Sequence, residues 1–485
     1  MTGIKKPVNI FRLKNLPEPK EVFNWRLFFA VFSFGLMGAA RGVDEGLISG
    51  AFNSKDFQQY IHYESYSKVE QTNIKGNVSA MVQIGSVGGA LFAFLVCDRI
   101  GRIWATRQLC LVWILGIAIF MGNGGSLAAV YAGRFIAGLG VGQTVVVGPV
   151  YLAEIQGLLE QASHNLSRIR HLPQDHECIT REITAIQVSH EAELEAALGT
   201  GPIGVLKETF LVPSNLYRIY LTFMVQILSQ WTGAGSITVY ATDLFNLLGI
   251  TGNNTNLLVT AVFGIVKLIA AIICALFLVD VIGRKRALLL GISLQAISMV
   301  YIAGFLTAVP EIGVVEGFKL PANTQRASEG AISMIYLSGF GWALGWNSMQ
   351  YLLTAELFPV RIRALATSLA MTLHFVNQYG NSRAVPNMLL STAKGGINPS
   401  GTFWCFGSVT ILGGIWVWFS IPETAGRSLE SMDRLFALPW YKIGLYGNRD
   451  AEGRDALVED EKVEIGSHRD GVTEHVERAD PSGRV

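Results

Sequence analysis

The chain has 485 residues and a formal net charge of +1; 50% of its residues are hydrophobic and 15% charged. A soluble protein carries about a quarter of its residues as charged side chains, so this composition, with a mean hydropathy of +0.37, excludes an ordinary water-soluble globule. The near-zero net charge gives no field to hold a nucleic acid.

A membrane-crossing helix needs about 20 predominantly apolar residues. After a basic, polar N-terminus (1–24, read as cytoplasmic, without a cleavable leader), spans are predicted at 25–50, 77–97, 103–121 and 127–151. A charged, helix-prone loop follows at 156–216. Six more spans are predicted at 217–248, 256–280, 286–308, 330–355, 364–390 and 401–421. The segment 438–485 is charged and apolar-poor and reads as a disordered cytoplasmic tail. The expected architecture is an all-α membrane protein with a four-span bundle (25–155) and a six-span bundle (217–437), about ten helices in all. Lys and Arg gather in the loops after the second, sixth and eighth spans, which places both termini on the cytoplasmic side by the positive-inside rule.

Cys97, Cys110, Cys178, Cys274 and Cys405 form no CxxC pair, so neither a disulfide framework nor a metal centre is expected. There is no G-x-x-x-x-G-K phosphate loop and no G-x-S-x-G nucleophile turn. The chain therefore reads as a non-enzyme without cofactor or metal. Of its histidines, most fall in polar loops; His374, inside the ninth span, stands apart.

An internal repeat is legible. DRIGR at 98–102 and DVIGR at 280–284 share D-x-x-G-R, giving Asp98, Gly101 and Arg102 against Asp280, Gly283 and Arg284, with Arg99 alongside. YLAEI (151–155) and TAELFPVRIR (354–363) echo each other in the same order, giving Glu154 against Glu356, with Arg361 and Arg363 after it. Transporters are commonly built from such repeats. The second copy continues for two spans past its Glu helix, whereas the first runs directly into the charged loop.

GVDEGLISG, DRIGR, AGRFIAGLGVG, PVYLAE, SQWTGAGSITVY, VDVIGRKR, AELFPVRIR and IPETAGRSLESMD together resemble the sugar porter family of the major facilitator superfamily, especially its fungal monosaccharide- and quinate-permease-like members. The resemblance covers about 25–155 and 165–435. It implies a twelve-helix plan from which the fifth and sixth helices are absent here, at an Ile155–Gln156 join. It also implies transport of a monosaccharide, polyol or quinate by alternating access in the plasma membrane. The alternative is a non-transporting, sensor-like or inactive truncated product.

The resemblance further implies roles for the charged residues. Asp98, Arg99, Gly101, Arg102, Glu154, Asp280, Gly283, Arg284, Glu356, Arg361, Arg363 and Glu423 would form a cytoplasmic latch; otherwise they are topological anchors. Asp44 and Arg134 sit inside apolar spans, where bare charge is costly. In proton-coupled relatives such an acid titrates against such an arginine, and the alternative is a static buried pair.

A polyhydroxylated solute needs groups that both donate and accept hydrogen bonds, with aromatic surface for its ring faces. Gln226 and Gln230 share one helix face at i, i+4, with Trp231 and Tyr240 nearby. Asn347, Gln350 and Tyr351 in the eighth span and Asn377, Gln378 and Asn381 in the ninth supply more. Ser229 and Gly235 stand where hexose porters carry Gln and Asn, a departure that leaves polyols and quinate open. Each of these polar residues could instead bond helix to helix.

Overall fold

In a computed structural model, the chain is described over residues 55–154, 201–248, 253–279, 281–312, 324–392, 395–425 and 429–447, with positions 42, 321 and 427. The first predicted span apart from position 42, Asp44, Asp280, most of the 156–216 loop and most of the C-terminal tail lie outside these residues. Every regular element among them is helical.

After a short helix α1 (Lys55–Tyr60), helices α2 (Lys68–Ile100), α3 (Arg102–Met121) and α4 (Leu127–Glu154) form the N-terminal group. α2 starts on a capping box: Ser67 Oγ accepts from the Glu70 backbone N–H, and the Glu70 carboxylate accepts from the Ser67 N–H at 2.9 Å. Glycines of α2 and of the AGRFIAGLGVG run in α4 explain how these helices meet. Gly85 lies against Phe135 and Gly138, Gly89 against Leu139, and Gly142 against Ser86, so tightly that a Cβ at any of them would strike backbone of the facing helix. Small residues permit this approach where no hydrophobic force drives helices together. Ser86 Oγ, donating to the Gly138 carbonyl at 3.1 Å, adds a polar contact to the same seam.

The C-terminal group runs α5 (Gly201–Leu211), α6 (Pro213–Trp231), α7 (Ala234–Val239), α8 (Ala241–Leu247), α9 (Asn253–Ile273), α10 (Arg284–Ala308), α11 (Gln325–Trp342), α12 (Ser348–Glu356), α13 (Val360–Met388), α14 (Asn398–Ser420), α15 (Leu429–Phe436) and α16 (Trp440–Ile443). The span expected as one helix over 217–248 is instead three. Gly233 adopts φ +83 and ends α6; a side chain there would strike the Phe406 ring, so only glycine fits. The span at 330–355 is interrupted by a π-helical turn, Ala343–Asn347, which separates α11 from α12. Part of the predicted 156–216 loop is helix α5 and the start of α6, and the packed region passes the expected start of the tail: Leu438 and Ile443 are buried.

Both groups meet along α13, which packs against α2 and α4 as well as α6. Ser368 Oγ of α13 donates to the Ala90 carbonyl of α2, and Arg383 reaches the Asn73 carbonyl at 3.5 Å. The outer faces are apolar: Leu111 is 68% exposed and Leu412 63%, with Ile114, Leu268, Ile415 and Trp418 alongside. A water-facing surface does not carry such a belt; acyl chains are its natural neighbour. Among the described residues, four helical stretches are long and apolar enough to cross a membrane by composition alone: Ile103–Met121, Leu127–Val147, Arg284–Ala308 and Asn398–Ser420. The others carry the polar residues and breaks that build the interior.

Candidate solute site and helix-end charge cluster

The break at Gly233 and the π-turn bring polar side chains of α6, α12 and α13 together in the protein's interior. Gln226, Ser229, Gln230, Gln350, His374 and Asn381 are all buried. Gln226 Nε2 donates to the Gln350 carbonyl at 3.3 Å and to Thr354 Oγ1 at 3.2 Å, which leaves its Oε1 facing His374 Nδ1 at 3.0 Å. His374 Nδ1 also lies 3.2 Å from Gln230 Nε2. Ser229 Oγ is 2.8 Å from Gln350 Oε1. Asn381 donates to the Gln230 carbonyl and accepts from Ser236 Oγ at 2.7 Å.

Aromatic surface borders this cluster. Trp231 is half-buried and its indole N–H donates to Asn377 Oδ1 at 3.0 Å; the Tyr351 ring centroid is 6.0 Å from that of His374. Gln378 is one turn from His374 on α13, and its buried Oε1 has no hydrogen-bond partner among the described residues. Gly235 leaves open space: a Cβ there would meet only Gln230 Oε1, at 3.7 Å. Asn347, half-buried, ends the π-turn. Tyr240 is placed differently from the other candidates. Its hydroxyl donates to the Ser382 carbonyl at 2.9 Å and its ring joins the apolar core, so it ties helices together.

Three residues in or beside this region are not evident from polar-residue spacing. Ser229 and Thr354 complete the hydrogen-bond chain between α6 and α12. Lys267 lies in the apolar run of α9, where its ammonium donates to Thr238 Oγ1 at 2.9 Å and sits 4.6 Å from the Trp342 ring centroid. One cation within an otherwise apolar span was the signal for it.

At one end of the C-terminal helices the motifs of the second copy converge with IPET. In both D-x-x-G-R copies the glycine links two helices in a conformation essentially reserved for glycine: Gly101 at φ 80, ψ 158 and Gly283 at φ 96, ψ 162. Arg284 holds Glu356 by Nη2 at 3.0 Å and Nε at 3.3 Å, and its backbone N–H donates to Glu423 Oε1 at 2.6 Å. Thr424 Oγ1 donates to the other Glu356 oxygen at 2.8 Å. The Glu423 carboxylate thus caps the positive end of α10, and IPETAG is the clamp that closes the Arg284–Glu356 pair.

The remaining latch candidates distribute otherwise. Arg361 pairs with Glu208 of α5 at 3.2 Å. Arg363 donates to the Phe358 carbonyl at 3.1 and 3.2 Å, bracing its own turn. A further tie joins buried Arg218 to Asp433 at 2.6 Å. The side chains of Asp98, Arg99, Arg102 and Glu154 lie outside the described set, as does Asp280. Arg134 is buried in α4 with its guanidinium carbon 5.9 Å from the Phe120 ring centroid; Asp44, its expected partner, is outside the described residues.

Comparison with known proteins agrees with this architecture. A family model described as sugar (and other) transporter matches residues 30–157 and 155–436. The probable quinate permease of Aspergillus flavus is 27% identical over 500 residues, covering 87% of this chain and 90% of the permease. The quinate permease of Emericella nidulans is 26% identical over 501 residues, covering 87% and 91%. Both alignments are longer than the 485-residue chain, so the relatives carry residues that this chain lacks, and the two family matches meet at the predicted join. Among solved structures, the proton:xylose symporter XylE bound to 6-bromo-6-deoxy-D-glucose superposes with a TM-score of 0.64 at 20% identity, covering 84% of this chain and 98% of XylE. The inward open xylose transporter XylE from E. coli gives 0.58 at 18%, covering 84% and 99%. The chain is a multi-pass membrane protein of the major facilitator fold and belongs to the sugar (and other) transporter family.

Proposed function

We propose that this protein moves a polyhydroxylated solute (a monosaccharide, a polyol or quinate) across the plasma membrane by alternating access, with both termini in the cytoplasm. The observation that carries this reading is the buried chain of Gln226, Gln230, Gln350, His374 and Asn381. These are groups that donate and accept hydrogen bonds, drawn from three helices and bordered by Trp231 and Tyr351. A solute rich in hydroxyls needs that mixture, and the named relatives include quinate permeases. The Arg284–Glu356–Glu423 cluster acts as the inner latch whose making and breaking accompanies the change of access.

Proton coupling through Asp44 and Arg134 is part of this reading. An acid released from its arginine in the apolar interior takes up a proton, and XylE, of the same fold, is named a proton symporter. The test is uptake of labelled glucose, xylose, myo-inositol and quinate in a host lacking its own carriers, with external pH recorded. Saturable uptake of one of them with proton entry, the proton entry being lost in Asp44→Asn, is the expected result. Uptake of none refutes the reading; unchanged proton entry in Asp44→Asn refutes the role of that acid.

A further inference from the structure

We infer that His374, acting through the Gln230 amide, makes this site select a polyhydroxylated carboxylate over its neutral counterpart. The inference rests on the solute-transport reading above and names the class of solute.

His374 Nδ1 lies between Gln226 Oε1 at 3.0 Å and Gln230 Nε2 at 3.2 Å. One ring nitrogen cannot donate to the first and accept from the second at the same time. Gln226 is the fixed side of this conflict. Its amide N–H₂ is committed to the Gln350 carbonyl and to Thr354, so it always offers His374 an acceptor. Gln230 is the side that can turn, because its amide exchanges oxygen for nitrogen by rotation about one bond.

Two states follow. With Nδ1 bare, it accepts from the Gln230 N–H₂, and Gln230 Oε1 points to the open space at Gly235, 3.7 Å from where a Cβ would lie. That space is then lined by an acceptor, which suits a hydroxyl and repels a carboxylate. With Nδ1 protonated, the ring donates to Gln226 and the Gln230 amide turns its N–H₂ into the space at Gly235. When both ring nitrogens carry protons, a positive imidazolium stands behind that donor. Charge and donor then act together on a carboxylate, and charge-assisted hydrogen bonds are the stronger kind. Gln378 Oε1, buried one turn along α13, is an acceptor suited to a ring hydroxyl of the same solute. Histidine is the side chain whose charge changes most readily near neutral pH, so the preference for an acid is expected to grow as pH falls.

The titratable groups on the helices around His374 are placed as follows. Tyr351 of α12 is in ring contact at 6.0 Å, and Glu356 lies farther along α12 in the Arg284 clamp. Arg218 of α6 is about 12 Å along the axis from Gln226 and is paired with Asp433. On α13 itself, Tyr379 is five residues from His374, about 7.5 Å along the axis, and Arg361, Arg363 and Arg383 lie about 13 Å or more away. On α4, Arg134 and Tyr131 stand toward the outer end and Glu154 at the inner end; Val146 and Val147 pack at the level of Phe375. On α2, Lys68, Glu70 and Lys75 are at the outer end, and Asp98 and Arg99 at the inner end. Glu208 of α5 pairs with Arg361, and its neighbour Lys207 is exposed. α7 carries no titratable side chain, and α14 carries Cys405 alone.

The experiment is calorimetric titration of the purified full chain with quinate, with its methyl ester and with myo-inositol, at pH 5.5 and 7.5. Quinate is anionic at both values, as carboxylates are above about pH 4, so only the protein's charge changes. Wild type is expected to favour quinate over the ester at least tenfold at pH 5.5, with the ratio falling at pH 7.5. His374→Asn is expected to bring the ratio to within about threefold of unity while ester affinity changes little. Equal binding of acid and ester by wild type, or an acid preference unchanged with pH, overturns the inference even if the variant does not fold. A retained preference in His374→Asn overturns it as well. Binding of only the neutral compounds overturns this inference and leaves the transport reading standing. Binding of none of the three overturns this inference, and the transport reading then stands or falls on uptake of glucose and xylose.

Discussion

Arg284 and Glu356 are joined at 3.0 Å at one end of the C-terminal bundle, and the Arg284 backbone N–H is held at the same time by Glu423. The pair is largely shielded, with 13% and 26% of the two side chains exposed, so it is stronger than a surface ion pair. Three separated sequence motifs meet in it. If it latches one access state, removing either partner shifts the balance between states. Arg284→Gln and Glu356→Gln are each expected to lower initial uptake about tenfold at equal membrane abundance. The double variant should be no worse than either single one, because coupled residues are not additive. Independent, multiplying losses in the double variant would show that the two residues do not act as a unit.

Gly283 is constrained from two directions. Its φ of +96 is costly for any other residue, and a Cβ there would run into the Glu423 carboxylate. Gly283→Ala is therefore expected to lose more than about 1 kcal/mol of stability and to displace Glu423 from the start of α10. A fall in the melting temperature of the purified protein, together with uptake reduced as in Arg284→Gln, checks it. An alanine variant that melts and transports like wild type would contradict the clamp.

Gln230 and Tyr240 separate site from scaffold. Both belong to the segment SQWTGAGSITVY, yet Gln230 contacts His374 whereas the Tyr240 hydroxyl is spent on the Ser382 carbonyl. Gln230→Ala is expected to raise KM for the transported solute about tenfold or more. Tyr240→Phe should leave KM within about twofold and cost about 1 kcal/mol of stability, the ordinary worth of one hydrogen bond. Uptake kinetics and thermal melts of both variants decide it; a large KM change in Tyr240→Phe would return that residue to the site.

The sequence carried these features unequally. Long apolar runs marked the helices because a bilayer fixes their length, and the D-x-x-G-R glycines were legible because two copies demand one backbone conformation. The break at Gly233 was not, since it depends on Phe406, far along the chain, leaving no room for a Cβ. Gln226 and Gln230 could be paired by their helical spacing. Their dependence on His374 comes from the packing of α6 against α13, which no local pattern records. The departure at Ser229 reads differently in three dimensions: its hydroxyl meets the Gln350 side chain.

The glycines of the membrane interior offer a controlled comparison. Gly138 faces the Val82 carbonyl and Gly85 across the α2–α4 seam, and the obstructing atoms are backbone that cannot swing aside. Gly264, in α9, has nothing within 4 Å of where its Cβ would be. Gly138→Ala must push two helices apart, and overpacking of this kind costs about 1–3 kcal/mol. Gly264→Ala meets no obstacle and gains helix propensity, up to about 1 kcal/mol. The expected outcome is a melting temperature several degrees lower for the first variant and unchanged or slightly higher for the second, read by thermal unfolding of the purified protein. Equal behaviour of the two variants would mean that α2 and α4 do not pack through the glycine seam. Because α13 packs on both α2 and α4, Gly138→Ala should also reduce uptake, while Gly264→Ala should not.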